Sequence, residues 1–218
     1  MILLSENQIQ AISSEIELLN NTIDTILSDI SSSYPYTEFP AANLKDFVSK
    51  LEDFHDFKEE NYTYYVHRAI RLKDKPNSGL IFLIYQHEVE KISRHTNRVL
   101  YKNTETITEI ECIAYTQLDK SYGRTFIRPE TISDKVSEFF YSKEIDFEET
   151  PEFSANYFVV SKNKEVFKSN ISVAFTEAVN RRKDWEIETN GQFLIARLDN
   201  SSAPENIKDF IQLILELN

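Results

Sequence analysis

YTYYVHRAIRLKDKPNSGLIFLIYQHEV, residues 62–89, decides the fold class. Residues 62–72 are rich in aromatic and branched side chains, which suit a pleated, half-buried surface. KPNSG at 75–79 holds the proline and glycine of a turn, and LIFLIYQHEV at 80–89 resumes as a strand. So short a connection predicts antiparallel pairing, because a parallel pair needs a crossover of a dozen or more residues. The stretch 92–118 keeps period 2. It sets Ile107, Glu109, Glu111 and Ile113 on one face and Thr108, Ile110, Cys112 and Ala114 on the other. LDKSYG then turns the chain ahead of TFIRP.

Upstream, the period is helical. Over 5–33, Ile9, Ile12, Ile16, Leu19, Ile23, Ile26 and Ile30 recur at alternating spacings of three and four, an a/d seam. Ser5 is the natural N-cap and Pro35 ends the run. The flanking positions lack complementary charges, so a parallel coiled coil has no partner code here. A second helix over 42–57 carries Leu44, Phe47, Val48, Leu51 and Phe54 at the same spacing. The two predict an N-terminal helical hairpin over 1–58, ahead of or continuous with an α+β domain over 59–218; amphipathic helices docked on a sheet are the alternative. Docking within the chain makes a monomer the expectation. A homo-oligomer through the N-terminal helix is the other use of the seam.

The last third mixes both periods. Thr131 caps a helix to about 141, and 156–161 is a strand. Asn163 caps a helix to about 181, with Val166, Phe167, Ala174, Phe175, Ala178 and Val179 inward. WEIET, Asn190-Gly191 and QFLIARL form a hairpin, and Ser202 with Glu205 suggests a capping box for a helix over 203–216. The predicted architecture is α+β: an antiparallel sheet from 62–128 and 156–198, helices mainly on one face, plus the N-terminal helical hairpin.

Charge and composition narrow the function. Lys plus Arg is 24 against 36 Asp plus Glu, a net charge of −12. Such a molecule is repelled by phosphate backbones and anionic lipid surfaces. Arg94, His95, Arg98 and Lys102 come close together, but acids flank them on both sides. No nucleic-acid partner and no membrane span are expected, since no apolar run approaches ~18 residues. MILLSENQIQ lacks the basic region of a signal peptide. The single cysteine, Cys112, allows no intrachain disulfide, which fits a reducing, cytoplasmic setting. Its strand face reads as core.

Neither metal nor cofactor is expected. Among His55, His67, His87 and His95, His87-Glu88 begins like a zincin motif, but Lys91 stands where the second histidine belongs. No phosphate-binding glycine loop or nucleophile elbow occurs.

IDFEETPEFSANYFVV, residues 145–160, packs Asp146, Glu148, Glu149 and Glu152 around one proline. Two carboxylates in a cleft could do acid–base work and four could hold Ca²⁺, but no D-x-[DN]-x-[DN]-G loop is present. The alternation Ile145-Asp146-Phe147-Glu148 reads instead as a short half-exposed strand, broken at Pro151, with its acids in solvent. Ser154 and Asn156 suit a turn, and Phe153, Tyr157 and Val159 suit the core. Arg128, in IRPE, could bind a carboxylate or phosphate; the alternative is a buried ion pair with a nearby acid such as Asp146, with Glu152 a further candidate. Trp185 is expected to anchor its hairpin to the helix at 163–180.

FIRPE (126–130), EIDFEETPEFSANYFVVSKNKEVFKSNIS (144–172) and WEIETNGQFLIAR (185–197) together resemble a bacterial domain family. Its pattern is F-x-x-R-P-E, then D-I-D-F-x-x-x-P-E-F-S-x-x-Y, then a helix and a tryptophan-containing hairpin. The family has no assigned reaction, so the resemblance implies a bacterial protein and no catalytic residue. Some of its members carry membrane-spanning helices ahead of this region, whereas the helix at 5–33 is polar on one face. The expected function is a non-catalytic interaction or scaffold module with a protein partner. The alternative is a small-molecule or peptide-binding domain, or an enzyme, using a pocket near Arg128 and Asp146.

Overall fold

The computed structural model describes residues 13–39, 49–51, 53–54, 63–95, 98–130, 145, 147–198, 201 and 203–217. Eight antiparallel strands form one open sheet: β1 (Tyr36–Glu38), β2 (Thr63–Leu72), β3 (Ser78–His95), β4 (Arg98–Gln117), β5 (Arg124–Pro129), β6 (Tyr157–Ser161), β7 (Glu186–Asn190) and β8 (Phe193–Arg197). Helices are α1 (Ser13–Ser31), α2 (Pro151–Asn156), α3 (Lys164–Asn170), α4 (Val173–Asn180) and α5 (Pro204–Glu216). The fold is therefore α+β. Strand order is β1-β2-β3-β4-β8-β7-β5-β6. The first four strands form a meander; the β7–β8 hairpin then inserts between β4 and β5, which leaves β6 at the far edge.

Alternation along the strands divides the apolar residues between two faces. Leu80, Phe82, Cys112, Ala114, Leu194 and Ala196 belong to the larger cluster, and α1 to α5 all contribute to it. Ile81, Leu83, Ile113, Tyr115 and Ile195 point the other way, into a smaller cluster with Leu51 and Phe54. From α1, Ile23, Ile26, Leu27 and Ile30 are buried in the larger cluster, and the helix touches α5. Of the helix expected over 42–57, only 49–51, 53 and 54 lie within the described residues. There, Leu51 and Phe54 pack in the smaller cluster rather than beside the α1 stripe. The helix expected over 131–141 lies outside the described residues.

Several local readings need correction. The helix expected over 163–181 is two helices. Ser172 accepts a hydrogen bond from Phe175 N at 3.1 Å and starts α4 afresh. Asn163 sits at the α3 N-cap but makes no capping bond. Ile145, Phe147 and Glu148 are not in a strand: Ile145 N donates to Val159 O at 2.9 Å, and Phe147 N donates to Ser154 Oγ at 2.8 Å, which pins them as a loop. Pro151 opens α2 rather than only breaking the chain, since proline suits the first helical turn, so Ser154 and Asn156 are helical. The α5 N-cap is Ala203, without a side-chain capping bond, and Pro204 opens that helix too. The β7–β8 loop is Gly191-Gln192, because Asn190 pairs with Phe193; Gly191 supplies the positive φ of 65°. Trp185 lies 5.3 Å from Phe210, so it anchors its hairpin to α5.

One element departs from the compact sheet. Among the described residues, β2 pairs with β3 no further than Gln86, and β8 meets β4 only over Ala114–Gln117. Beyond Gln86, β3 and β4 pair with each other through nine steps, from His87↔Ile107 to His95↔Arg98, with a bulge at Ser93/Arg94. At the usual rise per residue this two-stranded arm is about 30 Å long.

Candidate functional site

The face of the sheet opposite the larger cluster carries charged side chains from four strands: Glu111, Arg124, Arg128, Glu188 and Arg197. On β5, Ile127 enters the larger cluster, so its neighbours Phe126 and Arg128 face the opposite way, as does Arg124. Phe126 and Val160, with Phe158 packed against them, make a small third cluster there. Arg128 is only 6% exposed. Its guanidinium carbon lies 4.7 Å from the centre of the Phe158 ring, directly across the β5–β6 pair. Its Nη1 donates to the Pro129 carbonyl at 3.4 Å, and its Nε is buried without an acceptor.

The acids on this face come from β4 and β7. Arg197 Nη2 donates to Glu111 Oε2 at 3.1 Å, and its Nε lies 3.0 Å from Glu111 Oε1 as an ion pair without a hydrogen bond. Arg124 Nη2 lies 3.7 Å from Glu188 Oε1 and also donates to the Asp53 carbonyl at 2.8 Å. Glu188 is 1% exposed, and the Arg124 guanidinium offsets part of the cost of burying its carboxylate. Strand alternation had put Glu109 and Glu111 on one face, but nothing in the sequence paired Glu111 with Arg197 or Glu188 with Arg124. The available signal was charge repeating on one strand face: Glu186 and Glu188 two apart, and Arg124 and Arg128 four apart with Phe126 between them.

The predicted site residues are scattered. Asp146 lies outside the described residues, while its neighbours Ile145 and Phe147 pack with the larger cluster. Arg128 has no carboxylate partner among the described residues. Glu152 is in the first turn of α2, exposed, and lines an open cleft of about 310 Å³ with Glu149, Val173 and Glu177. A second cleft of about 260 Å³ continues past Glu148 and Glu149 to Lys168 and Ile171. Neither cleft includes Arg128. Of the isoleucine seam, Ile9 and Ile12 lie outside the described residues, Ile16 and Leu19 are within α1, and Ile23, Ile26 and Ile30 are buried.

Other chemically capable groups are committed to structure. Burial, with Glu111 next in effect, pushes the Cys112 thiol well above its ordinary pKa, so it is a poor nucleophile. Tyr157 donates its hydroxyl to the Val179 and Arg182 carbonyls at 3.2 and 2.5 Å. Arg182 binds Asp184, Asn206 and Asp209 and lies over the Trp185 ring, tying α4, β7 and α5 together. Among the described residues no group of three or more His, Cys, Asp or Glu is placed to hold a metal ion. No helix there is long and apolar enough to cross a membrane.

No family model, no curated protein and no solved structure matches the chain.

Proposed function

We propose that the chain is a non-catalytic interaction module of a bacterial cytoplasm whose contact element is the β3–β4 arm. The observation that supports this reading is the nine-step ribbon extending past every strand that flanks it among the described residues. A lone two-stranded ribbon is at best marginally stable in water, and its outer edges present unpaired backbone donors and acceptors. Such an element gains stability by docking. Residues 91–102 carry Lys91, Arg94, Arg98 and Lys102 and none of the 36 acids of a chain with net charge −12. The register brings these cations to the distal end of the arm. A long nucleic acid would also run against the acidic body, whereas acidic side chains of a protein that touches only the arm meet its cations alone, so the chemistry points to a local acidic patch on a protein partner.

In this reading residues 59–218 form the working domain, with helices gathered mainly on one face and the N-terminal helical segment bracing it. The buried half of the isoleucine seam then belongs to the fold and not to assembly.

Excision of Val89–Glu105, with Asn-Gly closing Glu88 to Thr106, tests the reading. The shortened chain keeps its circular dichroism and a cooperative melt. A partner identified by crosslinking to the full chain, then purified, binds the full chain in a salt-sensitive way and loses at least tenfold in affinity for the shortened one. Equal affinity for both chains refutes the arm as the contact element.

A further inference from the structure

We infer that Arg128 anchors an oxyanion ligand, a carboxylate or a phosphate group, at the edge of the charged sheet face. A guanidinium presents five N–H donors in a rigid planar fork and stays charged at any ordinary pH. Arg128 is more than nine-tenths buried, yet among the described residues its one hydrogen bond is the 3.4 Å contact to the carbonyl of the next residue, and its Nε has no acceptor. Buried charges are otherwise paired or fully hydrogen-bonded. The Nε atoms of Arg124 and Arg197 on this face also lack an acceptor, but each of those arginines has a carboxylate: Arg197 has Glu111, and Arg124 has Glu188 as well as the Asp53 carbonyl, whereas Arg128 has none among the described residues. Glu186, one step beyond the Ile127↔Ile187 pair, has an interaction of its own.

The surroundings say which atoms remain free and what they accept. Phe158 lies against the guanidinium, while Phe126 and Val160 complete an apolar wall that offers no acceptor. The Phe158 ring meets the guanidinium as a π surface and supplies no oxygen acceptor, which leaves the N–H edge of the fork for a ligand. That edge matches two oxygens of one carboxylate or phosphate. Among the described residues β6 is the outermost strand and Phe158 on it is half-buried, so the route by which a ligand would approach Arg128 runs over that edge. This site is separate from the arm and does not depend on it.

The test follows the Arg128 Nε–H signal in ¹H–¹⁵N spectra of the full chain, assigned by its disappearance in R128K. Inorganic phosphate and acetate are titrated separately, each against sodium chloride at matched ionic strength. The expected result is a saturable shift of that signal with at least one oxyanion and none with chloride. Saturation with phosphate alone assigns a phosphate ligand, and saturation with acetate alone a carboxylate. R128M, followed by thermal shift, loses the oxyanion-specific rise in Tm, and R128K keeps a response at least tenfold weaker. An Nε–H signal unmoved by both oxyanions in the folded protein overturns the inference. So does an R128M variant whose Tm responds as the wild type does. The wild-type titration decides the matter alone if R128M does not fold.

Discussion

Replacing Arg128 by methionine separates a strained, waiting cation from a structural one by the sign of the stability change. Methionine keeps the unbranched stem and retains contact with Phe158 through sulfur. What is lost is a cation–π contact worth about 0.5–2 kcal/mol and a long hydrogen bond to Pro129 O worth less than about 1 kcal/mol. What is removed is the cost of a buried charge, which after relaxation is several kcal/mol. Among Phe126, Phe158 and Val160 the second effect wins, so R128M is expected to be more stable by about 1–3 kcal/mol. For a chain of this length that raises Tm by roughly 3–10 °C. Urea titrations in oxyanion-free buffer measure it, with the m value checked for constancy. Phosphate or acetate should then narrow the gap, because only the wild type binds. If Arg128 were instead half of a buried ion pair, for example with Asp146, its removal would strand a carboxylate and cost about 3–5 kcal/mol. A loss of that size refutes the reasoning.

Further outcomes can be read in simple assays. Ile23→Ala removes a fully buried side chain from the α1 stripe and should cost about 2–5 kcal/mol while leaving the mass by light scattering unchanged; a drop from oligomer to folded monomer would assign the stripe to assembly. Gly79→Ala sets a Cβ 1.9 Å from the Ile70 carbonyl oxygen, a main-chain clash between β2 and β3, and should cost upward of about 2 kcal/mol. Gly191→Asn meets open space at a φ that asparagine tolerates, and should cost about 1 kcal/mol or less by urea titration. His67, 2.6 Å from Asn20 Oδ1, has its pKa lowered from 6.5 by burial and then by Arg68, so the unfolded chain binds its proton first. Its contribution is complete above pH 6.5 and is lost as pH falls through the interval below that value. Tm should therefore rise with pH across that interval, and His67→Gln should flatten the rise. The Cys112 thiol, fully buried and with its pKa raised, should resist a thiol reagent in the native protein and react after denaturation.

The sequence by itself determined the class of local structure wherever burial imposed a clean period. Alternation at 62–89 and 107–114 gave antiparallel strands, and it sorted Cys112 and Ala114 onto the inner face, because successive strand residues point to opposite sides whatever the neighbours are. The spacing of Ile23, Ile26 and Ile30 similarly fixed which stripe of α1 is buried. Local chemistry misled where one residue type serves two ends. Proline at 151 and 204 ends what precedes it and opens the helix that follows, and Ser172 restarts a helix inside an unbroken apolar period.

Only the tertiary structure decided which strands are neighbours. Period 2 does not encode a partner, so inserting β7–β8 between β4 and β5 had no signal along the chain. The site followed from that insertion. It brought Arg197 to Glu111 across 86 positions and placed Glu188 against Arg124, while the β5–β6 pair set Arg128 over Phe158 without a carboxylate among the described residues. The charges themselves, Glu111 on β4, Arg124 and Arg128 on β5, Glu188 on β7 and Arg197 on β8, are written in the strands. Which charges meet depends on strand order, and long-range pairing sets that order through side-chain contacts summed over the whole sheet.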